Sequence, residues 1–99
     1  MNVTKTQNEG QTIFALSGKL DTTTAPEFQN ELIPEFESAK SVTVDFTEIS
    51  FVSSAGLRVL LMGEKTAKAK GSAMVLTNVP ADVMEIFTKS GLARIFTIK

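Results

Sequence analysis

Apolar and polar positions alternate along this chain in two rhythms. In Val42-Thr43-Val44-Asp45-Phe46 the period is two, which predicts a strand with Val42, Val44 and Phe46 on its buried face. In Phe28, Leu32 and Phe36 the period is four, the stripe of a helix packed on a core. The mostly apolar Thr12-Ile13-Phe14-Ala15-Leu16 is a second strand. Residues 3–7 are a weaker one, and the turn cluster Asn8-Glu9-Gly10 predicts that the two form an antiparallel hairpin.

Gly18-Lys19-Leu20-Asp21-Thr22-Thr23-Thr24 is rich in turn and cap residues and leads into the first helix. Thr24 suits its N-cap, Pro26 its first turn, and Glu27 a capping box with Thr24; Pro34 should kink it or end its regular part. A second helix is predicted over 54–70, with Leu57, Leu60, Leu61 and Ala67 or Lys68 along one face. Glu64 and Lys68 make an i,i+4 pair on its edge, and Gly71 closes it. Met74-Val75-Leu76 reads as a short buried strand. A third helix follows Pro80, with Val79, Val83, Ile86 and Phe87 at helical spacing and Gly91 at its end. Ile95-Phe96-Thr97-Ile98 is a last strand.

The predicted order is β-β-α-β-α-β-α-β: an α/β fold with a mixed sheet, an N-terminal hairpin, and crossover helices packed on parallel strands. Ninety-nine residues support one core, so residues 1–99 are expected to be one domain.

Composition removes whole classes of chemistry. There is no Cys and no His, which excludes disulfides, thiolate nucleophiles, imidazole bases and the usual zinc sites. The six glycines are scattered and form no phosphate-cradling loop. A net charge of −1, without a dense block of lysines, gives no field for nucleic acid. No apolar run approaches the ~18–20 residues of a membrane span, and the polar start Met1-Asn2-Val3-Thr4-Lys5 is unlike a signal peptide, so a cytoplasmic protein is expected. Nothing calls for a cofactor, a metal or a catalytic residue.

One segment carries the functional signal. In Phe51-Val52-Ser53-Ser54-Ala55-Gly56-Leu57-Arg58 two serines stand where a strand gives way to a helix. Either serine is a natural N-cap. The unpaired N–H groups and positive end of the dipole at a helix start also favour a phosphate there. A serine so placed suits a switch better than a nucleophile. Arg58, one turn after Ser54 on the same face, could pair with such a phosphate. Gly56 implies close approach of a partner or of a neighbouring strand, since glycine otherwise weakens a helix. Asp21 serves either as a turn cap or as a contact to a partner or nucleotide, and Asp45 stands at a strand end, facing away from Val44 and Phe46.

These segments together resemble the STAS domain of bacterial anti-sigma factor antagonists over nearly the whole chain. Gly18-Lys19-Leu20-Asp21, followed by threonines and an Ala-Pro helix start, is similar to the family's G-x-[LI]-D loop. Val44-Asp45-Phe46 is similar to its central strand, and Lys89-Ser90-Gly91-Leu92 to its turn after the third helix. Phe51-Val52-Ser53-Ser54-Ala55-Gly56-Leu57 is similar to its phosphorylation loop, D-S-[ST]-G-L, and alignment on Gly56-Leu57 puts the phosphorylated serine on Ser54. Two positions depart from the pattern: Ser53 replaces the family's Asp, and Ala55 its Ser or Thr.

The resemblance implies a non-enzymatic partner switch. The unmodified protein would bind an anti-sigma factor that is also a serine kinase. Phosphorylation of Ser54 would break the complex, and a serine phosphatase would restore it. Asp21, Thr22, Thr23, Asp45, Ser53, Ser54, Ala55, Gly56 and Arg58 are the implied contact residues. A phosphorylation-independent STAS subunit of a transport or signalling complex is the second reading, and an enzyme built on Asp21, Asp45 and Ser54 a third.

Overall fold

Two of the strands are longer than the pattern of their sequence suggests, and the reason lies in the backbone. A computed structural model describes residues 1–99. Its elements are β1 (Asn2–Asn8), β2 (Gln11–Leu20), α1 (Ala25–Glu35), β3 (Ser41–Val52), α2 (Ser54–Ala69), β4 (Ala73–Thr77), α3 (Ala81–Ser90), a 3-10 turn (Leu92–Arg94) and β5 (Thr97–Ile98). The sheet order is β1-β2-β3-β4-β5; β1 runs antiparallel to β2 and every other neighbouring pair is parallel.

β3 does not stop at Phe46, as expected, but runs on to Val52. Its pairing with β2 passes from Ala15↔Asp45 to Ser17↔Glu48, and from Gly18↔Ile49 to Lys19↔Phe51, so β3 twice carries one extra residue. Each bulge displaces the inward position by one. Phe46, Ile49 and Val52 are therefore buried at every third place, where alternation fails as a signal. Asp45 is accordingly inside the strand and not at its end. β2 likewise extends through Gly18, Lys19 and Leu20, which were expected in the loop.

Consecutive parallel strands joined by crossovers of one hand put their helices on one face of the sheet. That face is Phe14, Leu16, Val42, Val44, Phe46, Met74 and Leu76, all buried in one cluster with Phe28 and Leu32 of α1, Val59 and Leu60 of α2, and Val83 and Phe87 of α3. Edge-to-face ring pairs join strand to helix, Phe14 with Phe28 at 5.6 Å and Phe46 with Phe87 at 6.0 Å. Gly63 lets α2 settle: a Cβ there would lie 2.9 Å from both Leu32 Cδ2 and Met74 Sδ. No helix is long and apolar enough to cross a membrane.

Smaller corrections concern faces and ends. Leu57 and Leu61 are only half-buried, and Gly56, Val59 and Gly63 share the inner face of α2 with Leu60 and Ala67. Glu64 does reach Lys68, at 3.8 Å, but it is buried rather than on the edge, and its Oε1 has no hydrogen-bond partner. Ile86 is half-buried. The final strand holds only Thr97 and Ile98; Ile95 is exposed after the 3-10 turn. Pro34 falls one residue before the end of α1, so the helical bond that its missing N–H removes is in the last turn and the regular part ends there.

Candidate functional site

Two strand-to-helix junctions meet at one end of the sheet. The first is Asp21–Thr24. Asp21 Oδ1 accepts the backbone N–H groups of Thr23 at 3.0 Å and Thr24 at 3.1 Å, while Thr24 Oγ1 accepts the N–H of Asp21 at 2.9 Å. This is a reciprocal capping box, but Asp21 and Thr24 make it. The expected box of Thr24 with Glu27 does not form, and Thr24 makes no side-chain cap bond to α1. Instead its hydroxyl donates to the Lys19 carbonyl at 2.7 Å, and the Asp21 carbonyl accepts the N–H of Ala25 at 2.8 Å. The Thr24 N–H holds the Asp21 carboxyl below the usual carboxylate range, opposed by partial desolvation and helped by Thr23, the Thr24 hydroxyl and Lys19. Asp21 is thus spoken for by its own loop. Thr22 and Thr23 are left exposed.

The second junction is Ser53–Arg58. Ser53 is extended, at φ −85° and ψ 176°, and its Oγ accepts the N–H of Gly56 at 3.3 Å, so Ser53 is the N-cap of α2. Ser54 is therefore the first helical residue. It is exposed, and its hydroxyl makes no hydrogen bond within the fold. Serine and aspartate both cap helices well, though only aspartate brings charge, so Ser53 fills the capping place without adding an acid beside Ser54. Ala55 is half-buried and Arg58 exposed.

Backbone bonds clamp the junctions together. The Ser53 N–H donates to the Leu20 carbonyl at 2.9 Å, and Ser50 Oγ donates to the Gly18 carbonyl at 3.3 Å. Gly56 sits directly against this clamp: a Cβ on it would lie 2.6 Å from Leu20 O. Gly56 is buried, so its role is the close approach of a neighbouring strand rather than contact with a partner. Between the starts of α1 and α2 lies a groove of about 230 Å³, lined among others by Thr22, Pro26, Gln29, Ala55, Arg58 and Met62.

Asp45 stands apart from this surface. Its Oδ1 accepts the Thr47 hydroxyl at 2.6 Å, the Thr47 N–H at 3.0 Å and Asn78 Nδ2 at 3.1 Å. The Thr47 hydroxyl above all lowers its pKa, against some desolvation. These contacts satisfy an N–H at the first bulge of β3 and tie the strand to the loop after β4. Asp45 is an anchor of the strand, and none of its bonds reaches Ser53–Arg58 or Asp21–Thr24. The amino-acid pattern does not single out Thr24, Pro26, Gln29 or Met62 as part of this surface. For Thr24 the Asp21-x-x-Thr24 spacing is the available signal; the groove residues join only through packing of two helices.

The chain belongs to the STAS domain family, whose sequence pattern matches residues 2–99. It is 28% identical over 98 residues to the anti-sigma-B factor antagonist of Bacillus subtilis (strain 168), covering 99% of this chain and 90% of that one. The fold is similar to that of the anti-sigma factor antagonist SpoIIAA in its unphosphorylated form, with a TM-score of 0.85 at 18% identity, over 99% of this chain and 88% of that one. Against the Bacillus cell fate determinant SpoIIAA in its phosphorylated form the TM-score is 0.79 at 17% identity, over 99% and 91% of the two chains.

Proposed function

We propose that this protein is an anti-sigma factor antagonist, and that residues 1–99 act as one regulatory domain in the cytoplasm. Unmodified, it binds an anti-sigma factor that is also a serine kinase. Phosphorylation of Ser54 dissociates the pair, and a serine phosphatase returns the protein to its binding state. The protein is the substrate of both enzymes and catalyses nothing itself.

The observation that carries this reading is the separation of roles between the two serines. Ser53 holds the helix cap, so Ser54 is free to change chemistry without costing α2 its start. Phosphate at that position brings about −1.5 to −2 charges and three acceptors. Beside the N–H groups of a helix start the charge is tolerated by the fold, whereas in a closed interface it must be desolvated. The kinship with the B. subtilis antagonist supports the choice of partner class.

Phosphosite mapping tests the assignment. The purified protein is incubated with its cognate kinase and ATP, and phosphate is expected on Ser54 and lost in Ser54→Ala. Modification persisting at the wild-type level in that variant contradicts the reading. A phosphorylation-independent STAS subunit is the second reading, favoured by Ser53 where the family carries an acid. It predicts stable complex formation that is indifferent to ATP.

A further inference from the structure

Beside Ser54 the groove between α1 and α2 continues into a second concavity, also about 230 Å³, which runs along α2 past Leu61, Lys65 and Thr66. Arg58 and Met62 line both. Positions 54, 58, 62 and 65 follow one stripe of a helix, so the exposed residues read in order hydroxyl, cation, thioether, cation. Met62 is 38% exposed and stands between the two cations along the stripe.

The charges on this stripe are unanswered. The four ion pairs of the fold are Lys5–Glu35, Lys68–Glu64, Lys70–Glu37 and Lys89–Glu85, and none involves Arg58 or Lys65. The sole acid of α2 is Glu64, which is buried. The outer face of α2 is thus cationic in a chain whose net charge is −1.

From this we infer that the stripe Arg58–Met62–Lys65 docks an acidic segment of the protein partner, one that presents an apolar side chain between carboxylates. The inference rests on the antagonist reading for the identity of that partner, and adds where and by what chemistry it is held. The helical rise from position 58 to position 65 separates the two cations by about 10 Å. Carboxylates three residues apart on an extended segment of polyproline-II geometry share one face and lie about 9 Å apart. Between them Met62 offers a flexible surface that adapts to an apolar side chain. Nucleic acid fits less well, since its binding draws on many phosphate contacts and this stripe offers two cations.

The same geometry gives Ser54 a second lever. Positions four apart on a helix are neighbours, so phosphate on Ser54 competes with the partner's carboxylate for Arg58. Modification then both introduces repulsion and withdraws a binding cation.

The test needs no kinase. The 15N-labelled protein is titrated with a blocked peptide of repeated Glu-Leu-Pro, whose prolines favour polyproline-II geometry, and with its counterpart carrying lysine for glutamate. Amide shifts are expected at Ala55, Arg58, Met62 and Lys65 with the acidic peptide alone, and at least a tenfold weaker response in the double variant Arg58→Glu, Lys65→Glu, whose remaining spectrum reports the intact fold. No shift up to millimolar peptide, shifts on another face, equal response to the lysine peptide, or displacement by a single-stranded oligonucleotide overturns the inference. Failure of the wild-type protein to bind any kinase overturns the antagonist reading instead.

Discussion

The Leu20 carbonyl accepts the N–H of Ser53 at 2.9 Å, one residue before the proposed phosphoacceptor. That bond ends two strands together and sets the two helix starts side by side. The Gly18–Thr23 region and the Ser53–Arg58 segment are adjacent because of it, and the sheet end becomes one surface.

Gly56→Ala should disturb this surface from below. The new methyl carbon would meet Leu20 O at 2.6 Å, and a backbone carbonyl already bonded to Ser53 has little room to give. Overpacking of this kind costs about 1–3 kcal/mol. Alanine returns at most about 1 kcal/mol through helix propensity. Denaturant unfolding should therefore show net destabilisation, and a more stable variant would mean that α2 does not sit tightly on β2.

The two serines should separate cleanly under mutation. Ser53→Ala loses the cap bond to Gly56, at 3.3 Å a long one, and should cost about 0.5–1 kcal/mol of stability. Ser54→Asp adds an acid to the first turn and should change stability by about 0.3–1 kcal/mol in the favourable direction, while weakening the kinase complex. Thermal melts and partner titrations read the two effects independently. A Ser54→Asp protein that unfolds, or that binds as tightly as wild type, contradicts the switch.

Glu35 should give the fold a measurable acid sensitivity. It is buried at the far end of the sheet, bonded by Lys5 at 2.7 Å, Gln7 at 2.8 Å and Thr12 at 2.5 Å. Burial pushes its pKa up, but these three donors together outweigh it, and the folded value lies below the ordinary 4.5. A carboxylate with a depressed folded pKa contributes stability that is fully present above its unfolded value and disappears as pH falls through the folded one. Glu35→Gln should cost about 1–3 kcal/mol at neutral pH, because its amide cannot serve all three donors. The gap between variant and wild type should close on acidification below about 4.5, the ordinary value. A gap that widens in acid would contradict the assignment.

Much of the architecture is legible in the order of residues alone. The hairpin, three helices and parallel crossovers follow from periods of two and near four, and Gly71 and Gly91 end α2 and α3 with φ of +71° and +81°. What escapes is nonlocal or hidden by bulges. The reach of β3 to Val52 is invisible to a period-two test because its inward residues recur every third place. Thr24 has the look of a cap for the residues after it and instead completes the cap of Asp21 before it. Glu64 has the sequence context of a surface ion pair, and only the packing of α2 against the sheet buries it.

The exposed residues around the clamp should matter to binding and not to folding. Thr23→Ala and Arg58→Ala should each weaken the kinase complex with melting temperatures near wild type, since Arg58 makes no ion pair and the Thr23 side chain makes no hydrogen bond in the fold. Asp21→Ala should weaken binding as well, but through collapse of the loop it caps, so it alone of the three should also lower stability. Glu85→Ala on α3, where Glu85 pairs with Lys89 at 2.8 Å, should leave affinity unchanged. Calorimetric titrations showing the reverse pattern would move the binding surface to α3.

The most direct test of the switch compares one protein in two covalent states. The unmodified form and the form phosphorylated at Ser54 are titrated into the cognate anti-sigma factor under identical salt. Desolvating the phosphate in the interface, at about 3 kcal/mol or more, predicts a loss of affinity of at least about a hundredfold. Equal affinities for the two forms would contradict the account.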